Sequence, residues 1–247
     1  MRILGVIPAR FGSSRLEGKP LKDICGKPMI QYVYEAARKS RLMDEVIVAT
    51  DDQRIVEVVK NFGGVACLTS REHKTGTDRV AEVASHHEVN IVVNIQGDEP
   101  LIDPVMVDEV IQPFLEDTSL FMSTLCVPIR EEERLHSPHV VKVVFDKKGY
   151  ALYFSRSLIP YPRNREVFQA YEHIGIYAYH KDFLMDYVRM QQSVLEVTES
   201  LEQLRVIESG FRIKVAVSSR PYEGVSVDTQ DDLERVREIV SKHQSNS

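Results

Sequence analysis

Residues 9–21, ARFGSSRLEGKPL, set Arg10, Arg15 and Lys19 within ten positions, with Gly12 and Gly18 among them and the hydroxyls of Ser13 and Ser14 alongside. Arginine forks match phosphate oxygens, lysine supplies a mobile point charge, and glycine lets the backbone approach an anion closely. A polyphosphate is the ligand class this composition suits. The loop is not a P-loop, since five residues rather than four separate the glycines and Lys19 is followed by Pro20 instead of Ser or Thr. A solvated basic loop containing a turn is the competing explanation.

Carboxylates supply the second candidate chemistry. QGDEP, residues 96–100, follows the apolar run IVVNI, so Asp98 falls at the carboxyl end of an expected strand. Magnesium prefers one or two carboxylates together with substrate oxygens, and an α/β enzyme would hold it there against phosphates. Asp228 in VSVDT has the same placement after a strand-like run, but it also precedes a helical pattern, where an N-cap is the rival role. Glu99 and Asp103 read as turn or capping acids, Asp103 standing just before Pro104 at a helix start.

The elements that must position these groups follow from the apolar periodicity. Short β-branched runs at 3–7, 46–50 and 91–95 read as strands buried on both faces. Between them, Met29, Val33, Ala36 and Ala37 share one helical face, and Ile55, Val58, Val59 and Phe62 share another. Strand alternating with helix predicts a parallel sheet covered on both sides, whose ligands bind beyond the carboxyl ends of the strands. The middle of the chain differs: HVVKVVFDKKGYALYFSR holds two strand-like runs joined by Asp146-Lys147-Lys148-Gly149, a hairpin signal that adds antiparallel strands.

EHIGIYAY then alternates, placing His173 and Tyr177 on one face, roughly 13 Å apart at the usual strand rise. A helix is expected around ESLEQLRVIES, where three- and four-residue spacings put Glu199, Glu202 and Gln203 on one face. The strand RIKVAV and a last helix opening at Asp228-Thr229 close the chain, and HQSNS reads as a disordered tail.

Composition narrows the classes. A chain of 247 residues with 43% hydrophobic content can bury a sizeable core. Its 31 Lys+Arg against 37 Asp+Glu give a net charge of -6, opposite to the footprint of a nucleic-acid or anionic-membrane binder, so a polyanionic ligand must meet a local basic cluster. Cys25, Cys67 and Cys126 form no C-x-x-C pair, which fits a reducing cytoplasm. No segment approaches the roughly 18 apolar residues of a membrane span, and no signal peptide is read. His73, His86, His87, His136 and His139 show no metal-ligand spacing.

IPARFGSSRLEGKPL, KTGTDR, NIQGDEP, VVKVVFDKKGYALYFSR, HIGIYAY, LEQLRVI and VDTQDDLERVR together closely resemble the 3-deoxy-manno-octulosonate cytidylyltransferases, in order and over essentially the whole chain. The resemblance implies a three-layer α/β/α sandwich, nucleotide-diphospho-sugar-transferase-like, with a mixed sheet carrying added antiparallel strands. It implies one catalytic domain over 1–242 with a sugar-binding and dimerisation insertion around 130–210, the tail being 243–247. It further implies transfer of CMP from CTP to 3-deoxy-D-manno-octulosonate (Kdo) for lipopolysaccharide biosynthesis, a Mg²⁺ cofactor, a cytoplasmic homodimer, and neither nucleic acid nor membrane as partner.

Residue by residue, the resemblance assigns Arg10, Arg15 and Lys19 to the CTP phosphates and Ser13 to the nucleotide pocket. Thr75, Gly76, Arg79 and Gln96 match the remaining cytidine contacts, and Asp98 and Asp228 match the metal carboxylates. Arg156, His173, Tyr177 and Gln203 match the sugar-acid pocket, with Glu199 and Glu202 beside them; a bidentate Arg156 fork suits the sugar carboxylate. The chain departs from the family pattern at Glu17, where proline is expected. Rival functions are a CMP-sialate synthetase, a glycosyltransferase and a non-catalytic CTP-binding module. The glycosyltransferase would be expected to carry Asp-x-Asp where this chain has Asp98-Glu99-Pro100.

Overall fold

The computed structural model describes residues 1–12, 16–222 and 225–245, and the chain divides into two compact units, 1–108 with 222–247 and 109–221. In the first unit β1 (Ile3–Ala9) leads through a 3₁₀ turn (Lys19–Leu21) and a small ribbon, β2 (Asp23–Ile24) and β3 (Lys27–Pro28), into α1 (Met29–Arg38). There follow β4 (Glu45–Thr50), α2 (Gln53–Asn61), β5 (Ala66–Leu68), α3 (Gly76–Ser85) and β6 (Ile91–Asn94). These strands lie in the order β6-β1-β4-β5, every pair parallel. Every residue of β6 and all but Pro8 of β1 are buried, as expected of strands sandwiched between helices. α2 and α3 open as their sequences dictate: Asp52 accepts the Arg54 N–H at 2.9 Å, and Thr75 and Asp78 form a capping box.

α4 (Pro104–Glu116), started by Asp103 accepting the Val105 N–H at 2.8 Å, runs across the boundary at 108. The second unit contains β7 (Met122–Pro128), α5 (Glu132–His136), β8 (Lys142–Phe145), β9 (Ala151–Ser155), β10 (Tyr171–His180), α6 (Lys181–Tyr187), α7 (Val194–Glu199), α8 (Leu204–Glu208) and β11 (Ile213–Val217). β11 pairs β7 in parallel, whereas β7–β10, β10–β8 and β8–β9 are antiparallel, giving the mixed sheet expected. The β8–β9 turn falls on Asp146–Gly149, with Gly149 at φ +76° and Asp146 Oδ1 accepting the N–H groups of Lys148 and Tyr150. The insertion expected around 130–210 lies inside this unit.

α9 (Gln230–Ser245) returns to the first unit. The tail drawn from 243 is in part helix, since α9 continues to Ser245 with Lys242 and His243 in its last turn, where cations favour the helix dipole. Val225, Val227, Leu233, Val236 and Val240 close over Leu16, Ile24 and Met29, so one apolar cluster holds both the basic loop and the approach to α9.

One buried ion pair braces the second unit. Arg205 donates to Glu196 at 2.5 and 2.7 Å, their side chains only 8% and 5% exposed, and Glu196 also caps α7 with Ser193. Removing one partner strands a buried charge, so Arg205→Met should cost about 3–5 kcal/mol, read as a lower urea midpoint with an unchanged slope. A loss below about 1 kcal/mol would place the pair with ordinary surface salt bridges.

Candidate active site

In the first unit three charged groups far apart in sequence converge. Lys19 Nζ donates to Asp98 Oδ2 at 2.7 Å and to Asp228 Oδ1 at 3.1 Å, partners 79 and 209 residues away. Local geometry makes each leg. Gly18, in the left-handed region at φ +65°, starts the 3₁₀ turn, and its N–H returns to the Phe11 carbonyl at 3.1 Å, closing the loop. Phe11 is held in turn by its N–H to Asp51 at 3.3 Å and by the Arg54 guanidinium 3.4 Å above its ring.

Asp98 sits on the turn after β6, which presses against the end of β1. A Cβ on Gly97 would stand 2.7 Å from the Pro8 carbonyl oxygen, so only glycine fits there. The Asp98 carbonyl accepts the Val227 N–H at 2.9 Å, and this single backbone bond delivers the next residue, Asp228, to the same spot. Lys19 is only 15% exposed at its side chain and its ammonium is held above its usual range: burial opposes the charge, but the adjoining Asp98 and Asp228 carboxylates outweigh it.

The capping alternative for Asp228 is overturned. Thr229 Oγ1 accepts the Asp232 N–H at 3.2 Å, and Asp232 Oδ2 accepts the N–H groups of Asp228 and Thr229 at 3.1 and 2.8 Å. Thr229 with Asp232 is the cap, one residue later than the cap position the sequence offered, and the Asp228 side chain turns to Lys19. Glu99 is the turn acid expected, its N–H donating to the Gln96 carbonyl and its carbonyl accepting the Ile102 N–H, each at 3.2 Å, while its carboxylate accepts the Tyr222 hydroxyl at 2.9 and 3.0 Å.

Magnesium suits this donor set. Two carboxylates already converge on one cation and offer only oxygen, the ligand chemistry of that ion. Among the described residues no group of three or more His, Cys, Asp or Glu side chains could hold a metal, so the ion would rely on substrate oxygens as well.

The other nucleotide-side residues are placed as follows. Arg10 is exposed just past β1, and Ser13 and Arg15 lie outside the described residues. Thr75 is the α3 N-cap, and Gly76, the first residue of that helix, would set a Cβ 3.4 Å from the Pro8 ring. Gln96 donates to Asn94 Oδ1 at 3.3 Å. Arg79 is buried, its guanidinium donating to Asp51 at 3.2 Å, to the Ser70 carbonyl at 3.3 Å and to the Thr69 hydroxyl. Asp51 thus orders both Arg79 and the loop, a role its sequence position before a helix did not disclose.

In the second unit, His173 and Tyr177 do share a face, but not at the expected separation. Pairing with β7 runs His173↔Cys126, Ile174↔Leu125, then Tyr177↔Thr124, so two extra residues form a bulge and the four-residue step counts as two. The rings lie 5.4 Å apart between centroids. Burial holds the His173 pKa down at about 3 and, helped by Glu202, raises that of the Tyr177 phenol, so both are neutral.

The single helix expected around 199–209 is also broken. α7 ends at Glu199, Ser200 adopts the left-handed region at φ 52° with the Leu201 N–H returning to the Glu196 carbonyl, and Gln203 is the N-cap of α8. Glu199, Glu202 and Gln203 therefore share no helical face. Glu199 accepts the Ser155 hydroxyl at 2.6 Å and the Arg156 N–H at 3.0 Å, while the Arg156 guanidinium donates to the carbonyls of Glu199, Pro138 and Ser200. Lys142, fully buried, gives its three N–H bonds to the carbonyls of Ser137, Val140 and Arg156. A charged residue interrupting VVKVVF was the available signal for it. Gln203 is 3% exposed, and its Nε2 is a buried donor without a protein partner, a state that costs about 1–3 kcal/mol unless a ligand satisfies it.

A basic, glycine-closed loop, Asp98 just past the carboxyl end of β6 in a parallel α/β unit, and Asp228 brought beside it on residues 225–229, which form no strand where the sequence offered a strand-like run, define an enzyme that handles nucleotide phosphates, of the nucleotidyltransferase class. The comparisons agree. Residues 4–213 match the family Cytidylyltransferase. The chain is 52% identical to the 3-deoxy-manno-octulosonate cytidylyltransferase of Geotalea uraniireducens, covering 98% of this chain and 100% of that one, and 50% identical to that of Fusobacterium nucleatum, covering 98% of each. A solved CMP:2-keto-3-deoxy-manno-octonic acid synthetase complexed with CTP superposes with a TM-score of 0.92 at 46% identity, over 98% of this chain and 100% of that one. The chain belongs to the cytidylyltransferase family and, within it, to the 3-deoxy-manno-octulosonate cytidylyltransferases.

Proposed function

We infer that this protein transfers CMP from CTP to the anomeric hydroxyl of Kdo, releasing pyrophosphate and forming CMP-Kdo for lipopolysaccharide biosynthesis. The observation that carries the chemistry is the grip of Asp98 and Asp228 on one cation, Lys19 Nζ. The hydroxyl oxygen attacks the α-phosphorus as the bond to pyrophosphate breaks, so catalysis is positioning and charge neutralisation. Arg10, Arg15 and Lys19 bind the phosphates and stabilise charge on the departing pyrophosphate. Asp98 and Asp228 would hold Mg²⁺, which when bound screens the α-phosphate and makes the attacking hydroxyl easier to deprotonate.

In the second unit the Gln203 amide, the Tyr177 phenol and the spare N–H groups of Arg156 supply donors to the sugar acid. We further propose a homodimer, supported by Leu152, Tyr161, Val167, Val194 and Val197, large apolar side chains 60–84% exposed in this unit. A cytoplasmic location is proposed with it; no described helix is long and apolar enough to cross a membrane. Pyrophosphate release with CTP and a panel of sugar acids tests the assignment. Kdo should be turned over, with ATP and GTP poor donors, and a clear preference for sialic acid over Kdo would refute it.

A further inference from the structure

The bulge in β10 creates an accounting problem that one side chain resolves. Gly175 and Ile176 have no ladder partners on β7, and Thr124 Oγ1 fills the gap, lying 2.8 Å from the Ile176 carbonyl, 3.2 Å from the Ile174 carbonyl and 2.9 Å from His173 Nε2. A hydroxyl has one hydrogen, and carbonyl oxygens can only accept. The hydrogen therefore goes to the carbonyls, and the contact with Nε2 is attractive only if that nitrogen carries a proton and donates to Oγ1. A bare Nε2 would face an oxygen lone pair at hydrogen-bond distance. Burial, which holds the His173 pKa down at about 3, keeps the ring from taking a second proton. His173 is then the Nε2–H tautomer, with Nδ1 left as an acceptor only.

We propose that Thr124 is a positioning residue for sugar-acid recognition: it fixes the tautomer and orientation of His173, so that Nδ1 accepts a hydrogen from a substrate hydroxyl and disfavours the substrate carboxylate. The Phe154 ring, packed T-shaped against His173 with centroids 4.9 Å apart, limits the imidazole from another side. The assignment complements the donors that the sugar-pocket reading sets beside it. Gln203 Nε2 and Arg156 seek acceptors, which a carboxylate supplies, whereas a neutral imidazole nitrogen beside a carboxylate would set lone pair against lone pair. This inference rests on the reading that His173 lines the sugar pocket.

Long-range ¹H–¹⁵N correlation on ¹⁵N-labelled enzyme, with His173→Gln to assign the signal, reads the tautomer directly in the wild-type protein. Nε2–H with a pyridine-like Nδ1 is expected, and the reverse tautomer overturns the proposal without any Thr124 variant having to fold. Thr124→Val keeps the shape but not the hydroxyl; it should mix the tautomers and raise the KM for Kdo about tenfold, the worth of one hydrogen bond, with the KM for CTP unchanged. Thr124→Ser should restore both readouts. A Thr124→Val enzyme with the wild-type tautomer and wild-type KM for Kdo defeats the proposal. A His173→Gln enzyme with an unchanged KM for Kdo would instead defeat the sugar-pocket reading on which it rests.

Discussion

Asp98→Asn is expected to lower turnover by roughly 10²–10³-fold, the usual effect of deleting one preorganised electrostatic partner, with little change in melting temperature. Asparagine keeps the shape of the side chain and removes its charge. The lost ion pair with Lys19 is part-exposed, and such pairs contribute about 0–1 kcal/mol, so stability should barely register the change. Asp228→Asn should behave alike, because the cap of α9 is Thr229 with Asp232 and not Asp228. Thr229→Ala supplies the opposite pattern: about 1 kcal/mol of stability lost and turnover retained. Turnover at saturating Mg²⁺ and CTP, beside a melting curve for each variant, separates the two. An active Asp98→Asn enzyme would overturn the proposed metal site, and an active Asp228→Asn enzyme would leave Asp98 as its sole carboxylate.

Lys19→Met should have the second largest effect, a fall in turnover of the same order, roughly 10²–10³-fold, because the lysine charge is assigned to the phosphates undergoing transfer. The structure adds an expectation of opposite sign. Lys19 Nζ stands between the two carboxylates that would hold the metal, so without CTP the ammonium and a divalent ion compete for the same oxygens. The variant should therefore bind Mn²⁺ more tightly than the wild type when nucleotide is absent, as measured by electron paramagnetic resonance, and the difference should shrink when CTP is added. Equal Mn²⁺ affinity in both proteins without CTP would show that Lys19 does not screen the carboxylates, and wild-type turnover in the variant would confine Lys19 to a structural ion pair with Asp98 and Asp228.

The sequence by itself determined whatever depends on local period and local chemistry. Alternating β-branched runs and helical faces determined the parallel α/β half, Asp146–Gly149 determined the hairpin, and the loop from Arg10 to Lys19 with Asp98 and Asp228 after strand-like runs marked where phosphate and metal chemistry could occur. What tertiary structure alone decided was which of these groups meet. Lys19 reaches Asp98 and Asp228 because a glycine-only contact at Pro8 and one backbone bond from Val227 to Asp98 bring three remote segments together, and neither leaves a periodic trace. The bulge that halves the His173–Tyr177 step and the left-handed Ser200 that splits the helix before Gln203 are likewise invisible to periodicity, which assumes unbroken elements. Arg79, Lys142 and Arg156 show the same limit. Their residue types announce charge, but whether a charge meets a ligand or a backbone carbonyl depends on the partners folding sets within hydrogen-bond distance of it, and Asp51 for Arg79, the Arg156 carbonyl for Lys142 and the Glu199 carbonyl for Arg156 all lie more than ten residues away.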